Sequence, residues 1–572
     1  MSATPPNWPS GIPIQKETFQ NWSQGITVFN VWTCIPQSPD DVVTVCNWAA
    51  QQGWQVRARG IMHTWSPLTV TQGESTTNVV LVDTTKGLTT IKVMPASGGN
   101  PPQVYAQTGA TMLDLMTTME NAAGGNGSAS GFGFAHIPAP GNLTVGGALT
   151  INAHGTAVPT PPNDDFDIPY GSLSNLIVSF TAVVTDSSNP KQYAAKTFSR
   201  GDADAKAFLT HCGRAFLLDV TLQAIDNYNL RCQSFMNIEA STMFAPPPTP
   251  TGTPPPNSAG AFLNQSGRVE VIWFPPLPQK AGDPIPTTYP WLKVWTVAPA
   301  QPSGSTLVTQ PYNYPFSDNL PKWLSDLIKF IVSGMPSLTP TFTSGQETIT
   351  KVALQRPGGP GDLWGASKNT LLYVQDTTLR VTANGYAVLM KKNQVQQAIA
   401  DFTGEFVDLL LQFQNNGYYP INSPCEIRVT ALDDPSLIVP PSGTAQSPTI
   451  SSLSVDPVVQ NAGWDVAVWF DVLTVMIDNS QQVYQFYEQM EEWIEQHFPS
   501  PTYRYMPEWS KGWAYTANNG PWTNSDFLQY IRTTLTTGRP TDDNWAWEVS
   551  TLAKYDGSGL FFNPFLTTLF TA

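Results

Sequence analysis

A two-lobed α+β fold is what this sequence predicts, and three observations predict it. The chain has 572 residues, more than one hydrophobic core organises, so two or more lobes are expected. Strand-like and helix-like runs alternate over roughly the first 235 residues, up to a proline-rich break. The region beyond the break mixes strands with long amphipathic helices. Only 12% of residues are charged, so the loops joining these elements must be long and largely uncharged.

The elements follow in order. Ser38 suits an N-cap, Pro39 the first turn and Asp41 the helix dipole, so a helix opens there. Val42, Val45, Cys46 and Ala49 recur at helical spacing and Gly53 ends the helix. Residues 54–59 read as a strand, delivering Arg59 to Pro67 into a turn. Strands are expected over 78–83 and 90–94, and a helix over 111–122. Residues 175–184 and 216–222 are strand-like, with a helix expected around 202–211. Prolines across 245–260 exclude a helix or a central strand. After this tether, 269–274 and 292–297 read as strands. Residues 393–414 and 480–497 read as amphipathic helices, with Phe402, Phe406, Leu409, Leu410, Tyr487 and Trp493 on their core stripes.

Composition removes several function classes. A net charge of −15 and the lack of any Lys/Arg run argue against nucleic acid and against electrostatic attachment to anionic lipid. Five cysteines show no metal-ligand spacing with histidine, so no metal site is expected and buried free thiols are the reading. No apolar run reaches membrane-spanning length. The first residues lack a basic and apolar leader, and the low charge with few lysines points to a secreted chain in mature form. No GxGxxG, Walker, HExxH or nucleophile-elbow pattern occurs.

Four segments could carry chemistry. The turn after residues 54–59 offers backbone amides to an anion, with Arg57 and Arg59 as forks for phosphate. A second loop runs from Pro140 through Val145, Gly146 and Gly147 to Asn152, His154 and Gly155. In 425–430, period-two alternation puts Glu426 and Arg428 on one face of a strand. A surface ion pair is the plain alternative for them. In 269–275, Glu270 has large apolar neighbours on both faces. Desolvation would raise its pKa and make it a base near neutral pH, unless it reaches water at the strand's start.

Arg59 to Thr64, with Gly146-Gly147 in the expected order, resembles the pyrophosphate loop of the vanillyl-alcohol oxidase (VAO/PCMH) flavoprotein superfamily. That loop reads Arg-Gly-Gly-Gly-His-Ser. Ile61 and Met62 stand where it has glycines, so a left-handed backbone there would be costly. Glu270 to Pro275, Cys425 to Arg428, Pro507 to Trp513 and Phe562 to Pro564 are similar to type II, covalently flavinylated bacterial cholesterol oxidases. The resemblance implies an FAD-binding domain over 1–236, an α+β substrate (cap) domain with an antiparallel sheet over 237–506, and a segment 507–572 returning to the first. It implies FAD joined covalently through His63, whose ring Arg57 and Arg59 help keep uncharged. Arg59, Gly60, Ile61, Met62, Thr64, Ser66, Val145, Gly146, Gly147, Asn152, Gly155 and Asn563 would contact the cofactor. Glu426 and Arg428 match a pair that gates an oxygen channel, and Glu270 matches, less securely, an active-site glutamate. The implied reaction takes a 3β-hydroxysterol and molecular oxygen to a 3-ketosteroid and H2O2, with isomerisation to the 4-en-3-one. At most, transient contact with a membrane surface would be needed to extract the sterol. Two alternatives stay open: a related oxidase of a sugar, alditol or lactone, and a non-catalytic aromatic-rich binding protein.

Overall fold

In a computed structural model, the described residues are 4–161, 168–312, 334–355, 359–372, 381–475 and 480–570. Two sheets build the N-terminal part. The first has the order β1-β2-β4-β3, from Ile14–Gln20 (β1), Thr27–Cys34 (β2), Gln55–Arg59 (β3) and Val79–Asp83 (β4). β2, β4 and β3 are parallel, and β1 is antiparallel to β2. The helix over Pro39–Gln52 (α1) starts at Ser38, whose side chain accepts from the Asp41 amide, and stops at a left-handed Gly53. Both ends are as the sequence implies.

The second sheet is antiparallel, ordered β5-β6-β10-β8-β9. Its strands are Ile91–Met94 (β5), Gln103–Gln107 (β6), Ile177–Asp186 (β8), Asn189–Ser199 (β9) and Phe216–Gln223 (β10). Two-residue strands β7 (Phe132–Gly133) and β11 (Ile225–Asp226) pair separately. The apolar side of α1 is sandwiched between the two sheets, where Val45, Cys46 and Ala49 pack with Val56, Val80, Val183 and Phe216. The helix over Met112–Glu120 (α2) is capped by Thr111, and a short helix over Val145–Thr150 (α3) by Thr144.

One expectation fails here. The helix around 202–211 is a single 3₁₀ turn, Ala205–Phe208, because the Asp202 carboxylate accepts from the Ser199 amide and ties the chain into a turn. The preceding strand, β9, was not foreseen. It is an edge strand with one polar side, which tolerates Pro190 and gives little hydrophobic signal.

A nine-stranded sheet organises the rest, in the order β15-β16-β12-β14-β13-β18-β19-β17-β20. Its strands are Asn229–Phe235 (β12), Val269–Trp273 (β13), Trp291–Val297 (β14), Thr306–Leu307 (β15), Asp362–Ala366 (β16), Thr382–Met390 (β17), Cys425–Ala431 (β18), Val466–Thr474 (β19) and Arg504–Pro507 (β20). β12 precedes the proline-rich break, yet hydrogen-bonds into this sheet. Helix α4 (Ala240–Met243) precedes the proline-rich stretch, and α5 (Ala259–Ser266) takes in its last two residues, which the prolines were expected to keep out of a helix. The two long helices, α6 (Val395–Asn415) and α7 (Ser480–His497), cover one face of the sheet. Phe402 stacks on Phe470 at 4.0 Å, and Phe406 meets Trp273. The opposite face looks toward the N-terminal sheets. Leu560 and Phe561 return to the α1 core, and the Val56 amide donates to the Leu560 carbonyl. The five cysteines are free and buried, as expected.

Candidate active site

A single cavity joins the turn after β3 to the free face of the large sheet. Glu270, Glu426 and Arg428 line it together with Gly60, Ile61, Met62, His63, Thr64, Gly146, Gly147 and Asn152. Residues far apart in sequence thus share one space.

At the N-terminal end the backbone sets the shape. A Cβ on Gly60 would collide with Thr144 Oγ1, and one on Gly146 with the Thr108 side chain, so both sites need glycine. Met62 takes φ 60° and Asn152 φ 47°. Met62 therefore does pay the left-handed strain that its side chain makes unfavourable, of order 1 kcal/mol. Ile61 does not adopt it. Among the described residues, no carbonyl or side chain accepts from the amides of Gly60, Ile61 or Met62. Asn152 is 1% exposed and its Nδ2 donates to no described group. A buried donor such as Asn152 Nδ2 is costly unless a ligand takes it, and an FAD pyrophosphate would suit this donor and the neighbouring free amides. The ring of His63 lies beside Trp22 and Trp65, at 5.0 and 5.9 Å between centroids.

Several residues expected at this end have other work. Arg57 pairs with Glu74 and Arg59 with Glu17, so neither guanidinium is a fork turned to phosphate. Arg59, Ser66, Val145, Gly155 and Asn563 are not in the cavity wall. Ser66 Oγ donates to the Trp509 carbonyl at 2.6 Å, and Thr64 Oγ1 to that of Ser510 at 3.1 Å. Asn563 caps the last helix through Leu566 and donates to the Pro67 and Leu68 carbonyls. A Cβ at Gly155 would press on the Ile137 carbonyl, and Val145 is packed in the core. Arg59, Ser66, Val145, Gly155 and Asn563 hold the loop and its surroundings rather than line the cavity, whereas Arg57 and Thr64 stand in its wall.

At the sheet end, strand register writes the electrostatics. Glu270 is opposite Lys293 on β14 and Arg428 on β18. Glu426 is opposite Ile272 on β13 and Asp471 on β19, and Asp471 in turn opposes Gly385 on β17. Side chains directly across from one another share a face, so one row, Lys293–Glu270–Arg428, alternates in sign, while the next sets the carboxylates of Glu426 and Asp471 side by side. Lys293 Nζ reaches Glu270 Oε2 at 2.9 Å. Arg428 contacts Asp471 and lies 3.4 Å from Glu426. Lys511 Nζ is 2.5 Å from Asp471 and 3.2 Å from Glu508. Gly385 leaves the room for this: a Cβ there would strike Asp471, Lys511 and Glu508.

The pairing of Glu270 overturns the expectation that its pKa rises. Burial pushes its carboxyl up, but Lys293, then Arg428 and Lys511, pull it below the usual glutamate value. Asp471 is likewise held down to about 2, with Lys511 and Arg428 outweighing burial. Glu508 goes the other way. Burial and the adjacent Asp471 charge raise it to about 7, against Lys511 and Arg428. His154 stacks on Trp469 at 3.8 Å, and burial and Arg428 lower its pKa to about 3.

Lys293, Asp471, Glu508, Lys511 and His154 were not chosen from sequence as site residues. The 507–513 motif contains Glu508 and Lys511 and the second loop contains His154, whereas Lys293 and Asp471 look like isolated charges in apolar strands.

The chain matches the model of the family described as cholesterol oxidase, substrate-binding, over residues 229–571. This chain belongs to the cholesterol oxidase family. Residues 32–186 match an FAD binding domain, so it is an FAD-dependent oxidoreductase with a VAO/PCMH-type domain. A structure titled solvent-stable cholesterol oxidase is 42% identical, with TM-score 0.89 and 100% of both chains covered. The cholesterol oxidase of Brevibacterium sterolicum, and a histidine-to-alanine variant of it, are each 36% identical. For both the TM-score is 0.89, over 100% of this chain and 99% of theirs. No curated protein matches.

Proposed function

We propose that this enzyme oxidises the 3β-hydroxyl of cholesterol or a related sterol to a 3-ketosteroid, passes the electrons to molecular oxygen as H2O2, and isomerises the product to the 4-en-3-one. The observation that carries the reading is the shared cavity. A backbone cradle with His63 lies at one end and a buried charged cluster at the other. Family membership favours a sterol over the sugar, alditol or lactone alternative.

When bound, FAD supplies the hydride acceptor. The amides of Gly60, Ile61 and Met62 and the side chain of Asn152 would hold it, and His63 would carry the covalent link. Its neighbours there are Trp22 and Trp65, not the arginines expected to keep the ring neutral. The sterol hydroxyl would then sit near the charged cluster, where Arg428, Lys293 and Lys511 oppose negative charge developing on oxygen. Glu270, locked to Lys293, contributes charge balance. Glu426 and Arg428 would control the approach of oxygen, because their 3.4 Å contact can part while Arg428 keeps Asp471. The secreted location and transient membrane contact belong to the same reading.

Oxidase assays with cholesterol, a sugar and an alditol, following H2O2 and the ketone, test the substrate class. Turnover of the sugar or alditol alone would refute it. For the oxygen role, Glu426→Gln should leave anaerobic flavin reduction intact and change the rate or oxygen dependence of reoxidation. Unchanged reoxidation removes the gate.

A further inference from the structure

Three carboxyl groups, Glu270, Glu426 and Glu508, line the sheet end of the cavity and a fourth, Asp471, is buried beside them, and their surroundings divide the labour among them. Glu270 is tied to Lys293 at 2.9 Å. Asp471 has a fully buried side chain, held between Arg428 and Lys511. Glu426 faces Arg428. Glu508 differs in place and in partners. It arrives on the loop after β20, fastened by its own amide to the Gly385 carbonyl at 2.9 Å, while the Gly512 amide donates to Ala383.

One of its oxygens, Oε2, is on the Lys511 side at 3.2 Å. The other, Oε1, has Ser510 Oγ at 3.5 Å and His154 Nε2 at 4.0 Å. That imidazole is in turn fixed, since His154 Nδ1 lies 3.0 Å from the Gly155 carbonyl. A neutral ring must carry its proton on Nδ1 to make this bond, so Nε2 presents a lone pair that can accept from Glu508 Oε1 only once that carboxyl is protonated. The groups facing Glu508 are therefore Asp471 from β19, Arg428 from β18, Lys511 and Ser510 from its own loop, and His154 from the loop after α3.

We propose that Glu508 is the general base that takes the proton from the substrate hydroxyl, with His154 as the positioning residue beside it. The assignment rests on the sterol-oxidising reading above. As the substrate O–H bond breaks, its proton goes to the Glu508 carboxylate. The C=O bond forms as the carbinol C–H bond breaks, and bound FAD would accept the C–H electron pair as hydride, so the substrate is oxidised by two electrons. A base titrating near neutral pH combines availability with driving force, and the raised value near 7 for Glu508 suits this. His154 cannot replace it, because protonating that ring is strongly disfavoured.

The test is anaerobic stopped-flow reduction with cholesterol across pH, together with infrared titration of protonated carboxyl groups. In the parent, reduction should rise with pH and level off above about 7. The carboxylic acid band should fade over the same range. Glu508→Gln should lose that band, slow reduction by about 10²-fold or more, and flatten its pH profile. Glu508→Asp, with the carboxylate drawn back, should be slower than the parent but still pH-dependent. It also guards against a Gln variant that fails to fold. His154→Gln should slow reduction while the infrared transition remains. If Glu508→Gln is reduced at the parent's rate, or Glu270→Gln alone flattens the profile, the base assignment falls and the functional reading stands. If the parent is reduced by no 3β-hydroxysterol, both fall.

Discussion

The two ends of the cavity solve different problems with different materials. The cofactor end is made from backbone: two close-packed glycines, a left-handed Met62 and amides that no described protein group accepts. The sheet end is made from side chains, with Glu270, Lys293, Glu426, Arg428, Asp471, Glu508 and Lys511 contributed by three strands, a β14 neighbour and one loop. A cofactor that stays in place needs shape, whereas a reacting oxygen needs field and a proton acceptor. The two ends are held in register by short ties. Ser66 and Thr64 donate to the Trp509 and Ser510 carbonyls, beside Glu508 and Lys511. Thr156 Oγ1 lies 2.8 and 3.0 Å from the carbonyls of Val269 and Val429.

The largest expected effect probes the backbone end. If His63 carries the flavin as proposed, the parent should keep flavin fluorescence after denaturation in a gel and His63→Ala should not. Because the cradle is built of amides, the folded variant should still retain FAD non-covalently. Undiminished fluorescence would place the covalent link elsewhere, and loss of all FAD would make the imidazole more important than the cradle.

Asp471→Asn attacks the other end. It leaves Arg428 and Lys511 buried without the carboxylate between them, a change expected to cost about 3–5 kcal/mol. Denaturant unfolding should register that loss while FAD content per folded molecule is kept. A fall in FAD content at unchanged stability would blur the distinction between the ends.

These ends were unequally legible in the sequence. The cradle was readable because it is contiguous: a strand, a turn and His63 lie in one stretch, and α1 before it announces itself through Ser38 and Gly53. The strand alternation likewise exposed Glu426 and Arg428 as one face. Asp471 and Lys293 were not readable, since each is one charge in an apolar strand and gains meaning only from register across five strands. Glu270 shows the limit most clearly. Its neighbours along the chain predict a raised pKa, while its neighbour across the sheet, Lys293, reverses the sign. The arginines near His63 failed for the same reason, as Glu17 and Glu74 reach them from outside the motif.

A smaller, pH-dependent effect separates scaffold from site. Glu491 on α7 accepts from Tyr386 Oη and from the Ala514 and Tyr515 amides, holding the chain just after Lys511. Burial raises its pKa to about 8, those donors opposing only in part. A folded value above the unfolded one favours the fold at low pH, and that contribution is lost as pH rises through about 8. The parent's Tm should therefore fall more steeply than that of Glu491→Gln between about pH 5 and about 8. Parallel curves would show that Glu491 does not titrate there. Smallest of all, Asn563→Ala removes a helix cap and a tie to the loop, worth about 1–2 kcal/mol, visible as lower thermal stability. If it instead strips FAD without lowering stability, Asn563 is a cofactor contact after all.

The central claim is that one cavity brings flavin and sterol together. Mixing the purified yellow protein anaerobically with cholesterol, and separately with its 3α-hydroxy epimer, tests it directly. The account predicts full bleaching of the flavin absorbance by cholesterol, with little by the epimer. A flavin that stays oxidised with cholesterol but is bleached by a sugar or an alditol would contradict it.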